Sequence, residues 1–174
     1  MLPRNQKSLK ARKPRKRSRR RLRFESLEAK RLLAAEVIFA DSFEQGSDPN
    51  DWNGAWVEYG SGSDWLRSTA TASDGNWSAE LDSAATFDFA YLELAQPIDL
   101  TDYTDVTVDF SWSIDKQARQ QDNVRVQMFN GSSWDNIYSI YGDWSPEGIW
   151  NDSTITVNAS YLISDFSIRF AGKT

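Results

Sequence analysis

Val106-Thr107-Val108-Asp109-Phe110-Ser111-Trp112 carries the clearest structural signal in the chain. Val106, Val108, Phe110 and Trp112 fall on one side of an extended backbone and Thr107, Asp109 and Ser111 on the other, the period-two pattern of a strand with one buried and one wet face. The same alternation returns at Val124-Arg125-Val126-Gln127-Met128 and at Phe166-Ser167-Ile168-Arg169-Phe170. Shorter runs that fit strands are Val37–Phe43, Trp56–Tyr59, Ser78–Leu81, Ala90–Leu94, Ile137–Tyr141 and Thr154–Val157. Between them lie Ser61-Gly62-Ser63-Asp64, Ser73-Asp74-Gly75-Asn76, Asn130-Gly131-Ser132-Ser133 and Ser145-Pro146-Glu147-Gly148, all turn chemistry, with Asn130-Gly131 a hairpin signal. No helical period of useful length follows residue 36. Residues 36–174 are therefore expected to be all-β, an antiparallel sandwich.

Upstream of this region the chain changes sign. Residues 1–33 hold 14 Lys+Arg against 2 Asp+Glu, whereas residues 34–174 hold 6 against 23, so a basic arm is joined to an acidic domain. Residues 1–23, with Pro3 and Pro14 and no apolar periodicity, are expected to be a disordered basic arm. Such arms neutralise phosphates. This one lacks interleaved aromatics, and the acidic domain behind it would repel the same phosphates, so nucleic-acid binding stands only as an alternative. With no Cys there is neither a disulfide framework nor a thiolate metal site, and with no His every imidazole mechanism is excluded. No apolar run approaches the roughly 20 residues of a membrane-spanning helix.

The two parts meet in Arg19–Ala35, RRRLRFESLEAKRLLAA, where leucines interleaved with charges predict a short helix over residues 24–35. As a secretory signal the stretch is poor, because Glu36 interrupts its apolar part. Phe24, Glu25, Leu27, Glu28, Leu32, Leu33 and Ala34, with Lys30-Arg31 as the basic pair, nevertheless closely resemble the N-terminal sorting motif F-E-x-L-E-x-R-x-L-L-A of planctomycete exported and surface proteins. The resemblance implies engagement of an export machinery, sorting to the exterior or cell surface, and processing near Leu33-Ala34-Ala35.

A second resemblance rests on order. Asp41-Ser42-Phe43-Glu44-Gln45-Gly46 is followed by Pro97-Ile98-Asp99-Leu100, the Val106–Trp112 strand, Asp122-Asn123-Val124, the turn before Trp134, and Phe166–Phe170. The succession is similar to the MAM-like and carbohydrate-binding-like jelly rolls appended to bacterial exported proteins. It implies a jelly-roll-like β-sandwich and a structural calcium, for which Glu44 matches a family ligand and Asp41 is the neighbouring carboxylate. It also implies a further closing strand after Gly172-Lys173-Thr174, without which a neighbouring strand edge would be exposed.

The candidate ligand-binding residues are Trp52, Trp56, Trp65, Trp144 and Trp150, which lie in or beside loops; exposed Trp is what sugar-binding faces use for ring stacking. Trp112 alternates with core residues and is read as buried, and Trp134, after its turn, as a plug for the end of the sandwich. The loop Asp48-Pro49-Asn50-Asp51-Trp52-Asn53-Gly54 fails as an EF-hand, since Trp52 and Tyr59 stand where ligands are required. Glu80-Leu81-Asp82 begins a lectin-like hydrolase signature, E-x-D-x-x-E, but Ala85 stands where its second Glu belongs. The expected function is a noncatalytic exported or cell-surface module that recognises extracellular polysaccharide or a surface protein. A carboxylate-based glycoside hydrolase fragment is the alternative within the acidic domain.

Overall fold

The computed structural model describes residues 36–60, 65–81, 88–115, 118–144 and 147–174. The basic arm and the sorting motif, Phe24 to Ala34, lie outside the described residues. Phe39–Thr174 is a unit of its own, and the fold below is that unit's.

Among the described residues nine strands form in order: β1 (Trp56–Gly60), β2 (Trp65–Ser68), β3 (Ser78–Leu81), β4 (Ala90–Leu94), β5 (Thr107–Trp112), β6 (Asn123–Phe129), β7 (Trp134–Tyr141), β8 (Asn151–Thr156) and β9 (Ile168–Lys173). They make a five-stranded sheet, β1-β4-β9-β6-β7, and two two-stranded pieces, β2-β3 and β5-β8. Every pairing is antiparallel, so the expected all-β antiparallel class is correct. Among the described residues no helix is long and apolar enough to cross a membrane.

The Asn130-Gly131 signal is realised as the β6-β7 turn. Gly131 adopts φ +89°, and the Asn130 side-chain oxygen accepts the backbone N–H groups of Ser132 and Ser133 at 3.0 and 2.9 Å. The turn thereby satisfies its own donors and fixes the register that pairs Phe129 with Trp134. In β5 the predicted alternation holds, with Val108, Phe110 and Trp112 half-buried and Thr107, Asp109 and Ser111 exposed. Its wet face is tied to β8 by Ser111 Oγ donating to Asp152 and Thr154 Oγ1 donating to Asp109.

One expectation is overturned. The strand anticipated over Val37–Phe43 does not form. The Asp41 carboxylate takes the Phe43 N–H at 2.8 Å and Phe43 turns to φ +62°, so a side chain has outcompeted the ladder for the backbone. The strand β9 lies at the centre of the sheet, bonded to β4 through Ala90–Glu93 and to β6 through Asn123–Met128. Among the described residues the edges of this sheet are β1 and β7.

The inner face of the five-stranded sheet carries Leu92 and Val126, both fully buried, with Ala90, Leu94, Met128, Ile140 and Phe170. Over it lie Trp65 and Leu81 of β2-β3, which approach Gly172, and Phe110 of β5-β8, whose ring centroid is 6.1 Å from Phe170 and 5.8 Å from Tyr138. Each fully buried aliphatic side chain contributes about 1.5–3 kcal/mol. With one face so covered, the alternate side chains must point to the other side of the sheet.

Candidate functional site

Those alternate positions form a continuous platform on the outer face. In register across the sheet they are Val57 and Tyr59 of β1, Tyr91 and Glu93 of β4, Arg169 and Lys173 of β9, Arg125, Gln127 and Phe129 of β6, and Trp134 and Asn136 of β7. Arg169 is the centre. Its cross-strand neighbours are Glu93 and Gln127. The guanidinium carbon lies 4.4 Å from the Tyr91 ring centroid and 4.2 Å from that of Trp134, a cation held between two aromatic faces.

A hydrogen-bond chain runs outward from this cation in both directions. Arg169 Nη1 donates to the Tyr59 hydroxyl at 2.8 Å, and that hydroxyl donates to Glu93 Oε2 at 2.5 Å. On the other side Arg169 Nε donates to Gln127 Oε1 at 2.7 Å, and Gln127 Nε2 donates to Asn136 Oδ1 at 3.2 Å. Glu93, Tyr59, Arg169, Gln127 and Asn136 thus join all five strands. Burial, followed by the bond to Glu93, raises the Tyr59 phenol above its ordinary 10.0, so it stays a neutral donor at physiological pH. Tyr59 is also stacked on Tyr91, centroids 5.0 Å apart and planes 17° from parallel. Flat rings, a fixed cation and amides with further lone pairs and N–H groups are suited to a ligand with both ring faces and hydroxyls.

At one end the platform opens into a cleft of about 300 Å³, whose lining includes Glu93, Pro97, Phe129, Trp134, Asp165 and Ser167. The Ser167 hydroxyl is buried and has no hydrogen-bond partner. A cleft of this size is at the small end of the range of ligand sites.

The sequence-predicted residues are placed elsewhere, and they do not form one site. Trp52, Trp56 and Trp65 are 8%, 7% and 6% exposed. They pack with Phe43 and Phe170 as interior residues, and Trp65 Nε1 donates to the Ala90 carbonyl. Trp144 is exposed and joins Trp112, Tyr138 and Tyr141. Trp150 donates to Thr71 Oγ1 at 3.1 Å. For Trp52, Trp56 and Trp65 a position in or beside a turn was a poor guide to exposure, because these large rings anchor the ends of the strands and their loops to the core.

Asp41 and Glu44 are both occupied by N–H donors. Asp41 accepts from the Phe43 N–H, from Gln45 Nε2 at 3.0 Å and from Trp56 Nε1 at 2.8 Å. Glu44 Oε1 accepts the N–H groups of Asn76 and Trp77 at 2.7 and 2.8 Å, which hold its carboxyl below the ordinary 4.5, with Trp77 the largest cause and Arg67 a minor one. Beside them the guanidinium of Arg67, 1% exposed, donates to the carbonyls of Phe43, Gln45 and Asp48 and lies 4.8 Å from the Trp77 ring centroid. Calcium needs about six to eight oxygen ligands. This donor set does not fit one, since N–H groups converge on the carboxylates and a guanidinium already stands among the carbonyls. Among the described residues no group of three or more Asp or Glu converges as a metal site.

The platform itself was missed because its members are scattered over five strands and appear in the sequence only as the polar half of each alternation. Arg169 is the wet residue of Ile168-Arg169-Phe170, and Trp134 was assigned to the sandwich end. The usable signal was that the wet positions of β4, β6 and β9 include Tyr91, Arg125, Phe129, Arg169 and Lys173 in a domain otherwise rich in Asp and Ser. Comparison with known proteins finds no matching family model, no similar curated protein and no similar solved structure.

Proposed function

We propose that this chain is a noncatalytic exported or cell-surface module whose all-β unit binds carbohydrate through the outer face of its five-stranded sheet. The observation that carries the reading is the Tyr59-Tyr91-Arg169-Trp134 array, in which rings for stacking are interleaved with a hydrogen-bonded cation, amides and a carboxylate. A protein-binding surface would gain more from an apolar centre than from a polar chain through its middle. The finer assignment to a jelly-roll-like sandwich rests on the order of the sequence landmarks, and two two-stranded pieces laid over one face of a larger sheet are compatible with it. Export rests on the resemblance of Phe24–Ala34 to the sorting motif.

The test is retardation of the full chain by a panel of soluble polysaccharides in native gels. At least one is expected to retard it. Trp134→Ala should weaken that binding by about 2- to 10-fold, the equivalent of one aromatic contact at roughly 0.5–1.5 kcal/mol, while Trp150→Ala leaves it unchanged. Retardation by none of the panel sinks the reading.

A further inference from the structure

The outer face differs in charge from the domain that carries it. Residues 34–174 contain six Lys and Arg against 23 Asp and Glu. Three of the six, Arg125, Arg169 and Lys173, occupy outer-face positions of two adjacent strands, and a fourth, Arg67, is buried away from that face. Of the outer-face strand positions only Glu93 is acidic, and it accepts the Tyr59 hydroxyl; Asp88 lies just before β4.

Each cation is held on an aromatic ring. Arg169 lies between Tyr91 and Trp134; the Arg125 guanidinium is 4.7 Å and the Lys173 ammonium 5.6 Å from the Phe89 ring centroid. Ring contact holds the stems down and orders the heads before a ligand arrives, lowering the entropy cost of binding. The spacing is regular as well. Arg169 and Lys173 are four residues apart on one strand, about 13 Å, and Arg125 is paired with Ala171 midway between them, one strand spacing of about 4.8 Å to the side. The result is a zigzag of positive charge along the β9-β6 seam, flanked by the stacked Tyr59 and Tyr91. An anionic polymer is repelled by this domain almost everywhere else, so these cations are where it can settle.

We infer that the outer face takes an acidic polysaccharide, one bearing carboxylate or sulfate groups, laid along β9 with its charges on Arg125, Arg169 and Lys173 and a sugar ring reaching the exposed Tyr59. The inference rests on the carbohydrate reading above and adds the ligand's charge and direction. Because the basic N-terminal arm would also attract a polyanion, the test keeps the arm constant. Affinities of the full chain for polygalacturonate, dextran sulfate, neutral dextran and duplex DNA are measured by titration calorimetry at fixed salt, for the wild type and for Arg125→Gln/Lys173→Gln.

The expected result is tighter binding of polygalacturonate, dextran sulfate or both than of neutral dextran, with about tenfold of it lost in the double variant as two charge-assisted contacts disappear. Arg125→Lys/Lys173→Arg, which preserves both charges, should retain the affinity, separating charge from any disturbance of the sheet. The arms for uronate and sulfate distinguish the two anions. Acidic glycan bound equally by wild type and double variant assigns the binding to the arm and overturns the inference. Preference for neutral dextran also overturns it while leaving the carbohydrate reading standing, and binding to no glycan removes both. DNA bound more tightly than either acidic glycan, with the same loss in the double variant, overturns it in favour of nucleic acid.

Discussion

Arg67→Met tests whether a side chain of this protein supplies the cation around which the Asp41–Gly54 loop is built. Arg67 is 1% exposed, and its guanidinium serves the carbonyls of Phe43, Gln45 and Asp48. Hydrogen bonds from a charged group contribute about 1.5–3 kcal/mol each in favourable cases. The three carbonyls are in a loop that water can reach once it loosens, and the buried Nε without a partner already costs some of the gain. Methionine refills part of the volume and stays apolar above Trp77. A net loss of about 3 kcal/mol is therefore expected, near the lower bound for breaking a buried ionic arrangement. For a domain of this size that is roughly 10 °C in the melting midpoint. Differential scanning calorimetry reads it, and hydrogen exchange should show the lost protection first at Ala55 N–H and Arg67 N–H, which bond to Trp52 and Pro49. Arg67→Lys, with one ammonium for three diverging carbonyls, should recover less than half of the loss. A midpoint within about 2 °C of wild type refutes the reasoning. So does a wild-type midpoint that rises several degrees with calcium and falls with a chelator, since Arg67 already stands where an ion would.

Other consequences follow from the same geometry. The Glu44 carboxyl is held below 4.5 by the Trp77 and Asn76 N–H groups, so its contribution is complete above that value and is lost as pH falls from there through the lowered pKa. The melting midpoint of Glu44→Gln should accordingly lie below wild type at neutral pH and converge on it in acid; parallel curves would contradict the assignment. A Cβ at Gly172 would meet Leu81 Cδ2 at 2.5 Å and Trp65 Cζ2 at 3.1 Å, so Gly172→Ala should cost about 1–3 kcal/mol in urea denaturation through overpacking between the layers, whereas the same change at Gly54, with nothing near its Cβ position, is felt only through its φ of +71°. Leu92→Ala, which empties the centre of the sheet's inner face, should cost about 2–5 kcal/mol, and a loss under 1 kcal/mol would mean the layers collapse onto the gap.

The strands were legible wherever one face is dry and the other wet. The β5 sequence gave both its extent and its buried side, and Asn130-Gly131 marked a hairpin because a side-chain oxygen and a positive φ satisfy that turn locally. Pairing was not legible, since alternation says which side is buried and not which strand lies next door. The central place of β9, and the union of β5 with the distant β8, depend on contacts far apart in sequence. The strand β2 was hidden because its run is only four residues and begins directly after Ser61-Gly62-Ser63-Asp64, residue types that read in the sequence as turn chemistry. For the same reason the platform could not be assembled from sequence. Tyr59, Glu93, Gln127, Asn136 and Arg169 each read as an ordinary wet residue, and only the register turns them into one hydrogen-bonded row. Trp52, Trp56 and Trp65 misled in the opposite direction, because each ring beside a turn is an anchor for the core and not a surface, whereas Trp144 is exposed.

The most direct test of the outer face as the binding surface is chemical-shift mapping of the backbone amides of the full chain during titration with a polysaccharide that it binds. Shifts are expected to concentrate at Tyr59, Tyr91, Glu93, Gln127, Trp134 and Arg169 across all five strands. Shifts concentrated instead around Trp144 and Trp150, or confined to the residues before Glu36, with the sheet face unmoved, would contradict it.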